Sequence, residues 1–241
     1  MNVLECFSGT GSVGKCCEAL GWGVVSVDKF MDSTHKVDIM DFDYKQYPKD
    51  YFTIVWASPP CTNYSNLQNC FIGRMRKGVI YTKEIQEKEM AEDDKLVLKA
   101  LEIIDYFNPY LWFIENPAVS RMKDRTFMKD LPFYIVDYCM YSDWGYKKST
   151  RIWTNKKDFR PLRCDGSGEC GNMIGKNHKG RMGTSKTVMD NGKMIRVNTA
   201  ELRKKYKDFK NINNEKNTDN NSKQIDRYRI PENLIYALFL D

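Results

Sequence analysis

The sequence predicts an α/β protein: a doubly wound, mostly parallel sheet with a small appendage. Three observations predict it. The chain opens with a strand, a glycine turn, a helix, a second strand and an acid. Three apolar strand patterns end in residues that can do chemistry, as expected where strand carboxyl ends form a site. After Trp153 the composition shifts to Gly, Lys and Cys with few long apolar runs.

Asn2 to Phe7 is a short apolar strand pattern, and Ser8-Gly9-Thr10-Gly11-Ser12 is the turn that follows. Val13 to Leu20 reads as a helix stopped by Gly21. Gly23 to Val27 is the second strand, ending at Asp28. Tyr51 to Ala57 is a buried-strand pattern that runs into Ser58-Pro59-Pro60-Cys61, where the prolines end it. Residues 62 to about 90 mix polar, basic and aromatic side chains without a period and predict a long loop with some helix. Glu92 to Phe107 carries Leu96, Leu98, Leu101, Ile104 and Phe107 at positions available for burial in a helix. Tyr110 to Ile114 is the next strand and leads into Glu115-Asn116-Pro117. Phe133 to Met140 and Thr150 to Thr154 predict two more strands. Residues 205 to 224, dominated by Lys, Asn and Asp, predict an exposed linker. Pro231 starts a terminal helix over Glu232 to Leu240.

The 241 residues suffice for one well-buried domain with an appendage. No apolar run is long enough to span a bilayer, and the start lacks a basic leader, so the expectation is an intracellular, cytoplasmic protein that is not secreted and has no membrane partner. Eight cysteines in such a chain point to catalysis, metal binding or plain burial rather than disulfides. A net charge of +6 gives a slight preference for an anionic partner such as nucleic acid.

Gly9 and Gly11 would let a cofactor approach the backbone, and Asp28 could accept from a ribose diol; a tight turn with a capping acid is the plainer alternative. Cys61, just past a strand and two prolines, is placed as a nucleophile, although Cys16 and Cys17 on the first helix are cysteines of the kind that simply pack. Glu115 could exchange a proton with an aromatic base or be a solvated strand end.

These residues together resemble the DNA (cytosine-5) methyltransferase family over about residues 2 to 155, and more faintly over 226 to 240. Glu5 to Gly11 resembles the family's cofactor motif, with Phe7 on the adenine and Ser8, Gly9 and Gly11 in the turn. Asp28 matches the ribose-binding acid, and Asp38-Ile39 the motif whose acid meets the adenine amino group. Pro59-Pro60-Cys61 followed by Tyr64-Ser65 matches the catalytic loop, with Pro60 beside the cofactor, and Glu115-Asn116 matches the catalytic glutamate motif. Tyr146 to Trp153 resembles the arginine motif, with Arg151 as its second arginine. The resemblance implies a class I methyltransferase fold, S-adenosyl-L-methionine as cofactor, and double-stranded DNA as partner of a monomer. A flipped cytosine would be attacked at C6 by Cys61, assisted at N3 by Glu115 and held by Arg151. It also implies a cofactor-binding catalytic domain over 1–155, a target-recognition region over 156–225, and a segment over 226–241 that packs back.

Three positions depart from the family pattern: Pro117 follows Glu-Asn where valine is usual, Ser149 replaces the first arginine, and Lys147 stands where glutamine is common. Lys148 offers positive charge nearby but not a bidentate guanidinium. In the appendage, Cys164, Cys170 and His178, with Cys139 as a fourth ligand, could hold a structural zinc, although their gaps are wider than usual and separate local roles stay open. Lys176, Lys179, Arg181 and Lys186 could meet phosphates or be a solvated loop; Arg74, Arg76 and Lys77 follow the cysteine loop and are better placed. An RNA cytosine-5 methyltransferase and a degenerate DNA-binding homologue are the remaining alternatives. An amino-methyltransferase is disfavoured because those enzymes need no cysteine at position 61.

Overall fold

Val3 and Leu4 are adjacent, point to opposite faces of one strand, and are both fully buried. A strand covered on both faces belongs in the middle of a parallel sheet flanked by helices. The computed structural model describes residues 1–174, 177–178, 185–190, 193–198 and 228–240. Its strands are β1 (Asn2–Cys6), β2 (Gly23–Val27), β3 (Ile54–Ala57), β4 (Met75–Arg76), β5 (Val79–Ile80), β6 (Leu111–Pro117), β7 (Phe133–Asp137) and β8 (Ser149–Thr154). Four more follow: β9 (Met173–Ile174), β10 (Asn177–His178), β11 (Ser185–Asp190) and β12 (Lys193–Asn198). The helices are α1 (Ser12–Ala19), α2 (Lys83–Phe107) and α3 (Glu232–Leu240).

The main sheet has the order β2-β1-β3-β6-β8-β7. Strands β1, β2, β3 and β6 pair in parallel, and β8 is antiparallel to both β6 and β7. The mixed α/β, mostly parallel sheet expected from the sequence is therefore present. On one face α2 packs Met90, Val97, Ala100, Ile103 and Phe107 against Leu4, Val55 and Ile114. On the other, α1 and α3 bring Val13, Cys17, Leu234, Ile235 and Leu238 onto Val3, Ile54 and Phe113. Phe239 joins that second layer at the stacked pair Trp56–Phe113, whose ring centroids are 5.3 Å apart. Cys16 and Cys17 are packing residues, as expected from the sequence. No helix of the described residues is long and apolar enough to cross a membrane.

The order differs from the sequence expectation in three places. Helix α2 begins at Lys83, capped by the Thr82 side chain, rather than at Glu92. Its first turns face polar partners and so lack an apolar stripe: Gln86 bonds Asn69 and Arg121, and Glu89 bonds Arg76 and Tyr81. The segment read as loop contains the β4–β5 hairpin, turned by Lys77 and Gly78, both at left-handed φ. Strand β7 stops at Asp137, and Tyr138 to Met140 form a 3-10 turn. The linker expected over 205–224 lies outside the described residues, as do Lys176, Lys179 and Arg181.

Helix α1 starts without a side-chain cap of its own; Gly11 sits at its N-cap with a left-handed φ of 66°. Its first amides are instead received by Glu5, reaching from β1: Val13 N–H at 3.1 Å and Gly14 N–H at 2.9 Å. A β-carbon on Gly14 would lie 2.9 Å from Glu5 Oε2 and 3.2 Å from Val24 Cγ1. Gly14→Ala should therefore displace the carboxylate and destabilise the fold by about 1–3 kcal/mol, read from urea unfolding. Wild-type stability would show that the sheet and helix can separate freely.

Burial pushes the Glu5 carboxyl up to about 7, even though the Gly14 and Val13 amides oppose the rise. The folded chain thus holds a proton that the unfolded chain releases near the ordinary carboxylate value. The stability contributed by the protonated form is complete at lower pH and is lost as pH rises through about 7. A pH series of thermal melts should show this descending component in the wild type and its loss in Glu5→Gln. An unchanged slope in the variant would place the proton elsewhere.

Candidate active site at the carboxyl ends of the strands

The parallel ladder sets Val27, Cys6, Ala57 and Ile114 in one row. Asp28, Phe7, Ser58 and Glu115 therefore follow together along one edge, where the parallel pairing ends. Phe7, Gly9 and Gly11 all adopt left-handed φ, so the chain coils tightly after β1. Asp28 ties this turn to the loop after β2: Oδ2 accepts from Gly9 N–H at 2.9 Å, and Oδ1 from the Phe30 and Met31 amides at 2.8 Å each. Three amides leave about one of the four acceptor positions of a carboxylate for a ligand. The Ser8 hydroxyl is buried and has no protein partner, as suits a turn that receives a polar ligand. Further along this edge, Lys29 bonds Asp38 at 2.8 Å and holds its carboxyl below the usual range. Ile39 beside it is buried in the core.

The cysteine loop is fixed to the end of β6. The Asn116 side chain, 1 % exposed, donates to the Pro59 carbonyl at 3.0 Å. Arg121 N–H donates to the Tyr64 carbonyl at 2.9 Å, and the Tyr64 hydroxyl donates to Asp94, which also pairs with Arg125. Pro59 is buried, Pro60 exposed and Cys61 half-buried. Burial raises the Cys61 thiol; the negative charge of Glu115 raises it further, and Lys148 pulls it back. Glu115 is buried, and its Oε1 accepts from the Tyr138 hydroxyl at 3.1 Å and from Lys148 Nζ at 3.4 Å. Cys61, Glu115 and Lys148 thus share one electrostatic neighbourhood.

Arg151 is not brought to it. Glu115 pairs with Ile152 across the β6–β8 ladder, so Arg151, one residue away, projects from the other face. There its guanidinium lies 3.7 Å from the centroid of the Phe133 ring and 5.5 Å from that of Trp153. Burial lowers its pKa. The same alternation puts Lys148 on the Glu115 side, and that parity could have been read from the sequence. Ser149, at the family's first arginine, instead donates to Asp137, which also accepts from Arg163 Nε at 3.0 Å and Cys164 N–H at 2.8 Å. Burial alone would raise Asp137, but these donors and Lys147 hold it below the usual carboxylate range. Tyr138 is the site residue that sequence reasoning missed, since β7 seemed to run straight through it.

Of the basic residues after the cysteine loop, Arg76 is used internally. It bonds Gln68 and Glu89 and lies over the Phe71 and Tyr81 rings. Arg74 and Lys77 are exposed. Cys139, after β7, and Cys164, Cys170 and His178, in the appendage, each offer a ligand atom, all within 4.8 Å of one another. A set of three thiols and one imidazole suits a metal ion.

No family model matches the chain. A probable DNA (cytosine-5)-methyltransferase of Frog virus 3 (isolate Goorha) is 43 % identical over 175 residues, covering 72 % of this chain and 79 % of that protein. Solved structures also align with it. A putative DNA modification methyltransferase encoded within an E. coli prophage gives a TM-score of 0.40 at 14 % identity, covering 68 % of this chain and 52 % of that one. S. pombe Dnmt2 methyltransferase gives 0.42 at 12 %, covering 68 % and 51 %. The Entamoeba histolytica methyltransferase EhMeth gives 0.41 at 19 %, covering 67 % and 55 %. The chain spans about half the length of these solved proteins. An identity of 43 % across most of the viral relative is what assigns the family: this chain belongs to the cytosine-5 methyltransferases.

Proposed function

We propose that the chain transfers a methyl group from S-adenosyl-L-methionine to C5 of cytosine in DNA. The observation that carries this reading is the joining of two strand ends, with Asn116 fastening the Pro59-Pro60-Cys61 loop beside Glu115. DNA as substrate draws on the name of the viral relative, the charge of +6, and exposed Arg74 and Lys77 past the cysteine loop. Residues 1–155 would form the catalytic domain, 156–225 would supply target recognition, and 226–241 would close back on the first.

S-adenosyl-L-methionine supplies an electrophilic methyl group. Phe7, Asp28, Asp38 and Ile39 would hold its nucleoside part; Ser8, Gly9 and Gly11 would border the methionine part, and Pro60 its methyl end. The target base, flipped from the duplex, would lie between Cys61 and Glu115. Cys61 would give up its proton, by way of Glu115, to N3 as its sulfur bonds to C6, so that negative charge does not accumulate on the ring. The electron-rich C5 would then take the methyl group, with S-adenosyl-L-homocysteine as the leaving group. Loss of the C5 proton to water would restore the double bond and expel the Cys61 thiolate, which takes back the proton from N3. The Tyr138 hydroxyl and Lys148 orient Glu115; in this site Lys148, rather than Arg151, is the cation beside the base. Arg151 instead holds Phe133 and Trp153 at the sheet edge.

Methyl transfer from labelled S-adenosyl-L-methionine to double-stranded DNA, read at base resolution, should give C5-methylcytosine. Cys61→Ala should abolish it, and Glu115→Gln should lower the rate by about 10²–10⁴-fold. Product from Cys61→Ala, or none from the wild type on diverse DNA, would sink the proposal.

The rate of Cys61 alkylation against pH tests the electrostatics separately. Glu115 raises the thiol pKa and Lys148 lowers it. Glu115→Gln should therefore move the alkylation midpoint to lower pH and Lys148→Met to higher pH. Coincident profiles would mean that neither charge reaches the sulfur.

A further inference from the structure

We propose that Cys139, Cys164, Cys170 and His178 form a structural zinc site that fastens the appendage to the catalytic sheet. The inference goes beyond methyl transfer, which needs no metal. With Zn–S near 2.3 Å and Zn–N near 2.0–2.1 Å, tetrahedral angles put neighbouring sulfur and nitrogen atoms about 3.6 Å apart. His178 Nε2 lies 3.5 Å from Cys164 Sγ and 3.7 Å from Cys170 Sγ. All four ligand atoms fall within 4.8 Å of one another, and none of the three thiols is in a disulfide. Three soft thiolates with one imidazole make a closed set that favours zinc over oxygen-loving cations.

The backbone around the ligands is fixed by groups of the chain itself. The Asn172 side chain, 3 % exposed, donates from Nδ2 to the carbonyls of Cys139, Cys170 and Ser142 at 2.8, 2.9 and 2.7 Å, and its Oδ1 accepts from Gly145 N–H. Asp137 receives the Cys164 amide, and Lys147 donates to the Cys164 carbonyl at 2.7 Å. Residues 156–174 place few apolar side chains in the core, Phe159 and Cys164 among them. A segment with so little apolar burial needs a cross-link to stay in place, and a metal supplies one. Cys139 follows directly on Tyr138, whose hydroxyl donates to Glu115, so the ion would anchor the segment that orients that carboxylate.

Metal analysis of the full chain, purified under reducing conditions and then exposed to zinc and desalted, should give about one zinc ion per chain. Cys164→Ser and His178→Ala should each lose it, whereas Cys70→Ser, at an exposed cysteine, should keep it. A strong chelator should lower the melting temperature of the wild type but not of the variants. Should the variants fail to fold, cobalt loaded into the wild type decides: tetrahedral d–d bands with thiolate charge transfer support the site. A metal-free wild type after zinc exposure, a Cys139–Cys164 disulfide in the mass spectrum, or full zinc in Cys164→Ser would overturn it. Cys61→Ala should retain zinc while losing methyl transfer, so failure of the metal site and failure of the methyltransferase reading are told apart.

Discussion

The row Val27–Cys6–Ala57–Ile114 is the constraint on which the site depends. Each strand is held to one register because a slip by one residue would exchange the side chains packed under α2 with those packed under α1 and α3 and break both fitted layers. Val3, Leu4, Val55, Trp56, Phe113 and Ile114 are all buried, so β1, β3 and β6 have no freedom to slide. The glycine turn, the acid after β2, the proline–cysteine loop and Glu115 consequently emerge along one edge. They lie far apart in sequence, and their meeting follows from apolar packing rather than from attraction between them.

Buried carboxylates then connect the layers. Glu5 joins β1 to the start of α1, and Asp137 joins the end of β7 to Ser149, Arg163 and the Cys164 amide. The two carboxyls respond differently to burial. Glu5 receives only two neutral amides and is pushed up to about 7. Asp137 has two cations and an amide beside it and stays below the ordinary range. A buried acid remains charged where donors and opposite charge compensate for lost water. The departure at Ser149 has a physical reason in this network: a short hydroxyl serves the already crowded Asp137.

Much of this was legible in the sequence because it is written in apolar periodicity and turn chemistry. Helix α1, the first three sheet strands and the terminal helix over Glu232 to Leu240 carry those signals, and the cysteine loop is marked by its prolines. The start of α2 was not legible, because Gln86 and Glu89 are satisfied by residues distant in sequence and leave no stripe. The β4–β5 hairpin had a signal, Lys77-Gly78, but strands of two residues show no alternation. At the site, the family resemblance points to Arg151 by residue type, whereas strand parity puts Lys148 on the Glu115 side. Parity separates the Arg151 side chain from Glu115 and leaves Lys148 as the cation bonded to that carboxylate.

The choice of lysine also bears on how the proposed nucleophile would be controlled. Burial raises the Cys61 thiol, and the negative charge of the neighbouring Glu115 raises it further. Lys148 offsets part of that charge as a compact ammonium bonded to Glu115 Oε1. On the proposed reading, a proton shared between Glu115 and N3 of the cytosine would offset the carboxylate's charge beside the sulfur. The thiol would then ionise most readily when the base is in place. A site with a stronger cation and no carboxylate would expose a permanent thiolate to oxidation and alkylation. On that reading, the opposed charges around Cys61 would tie its reactivity to an occupied pocket.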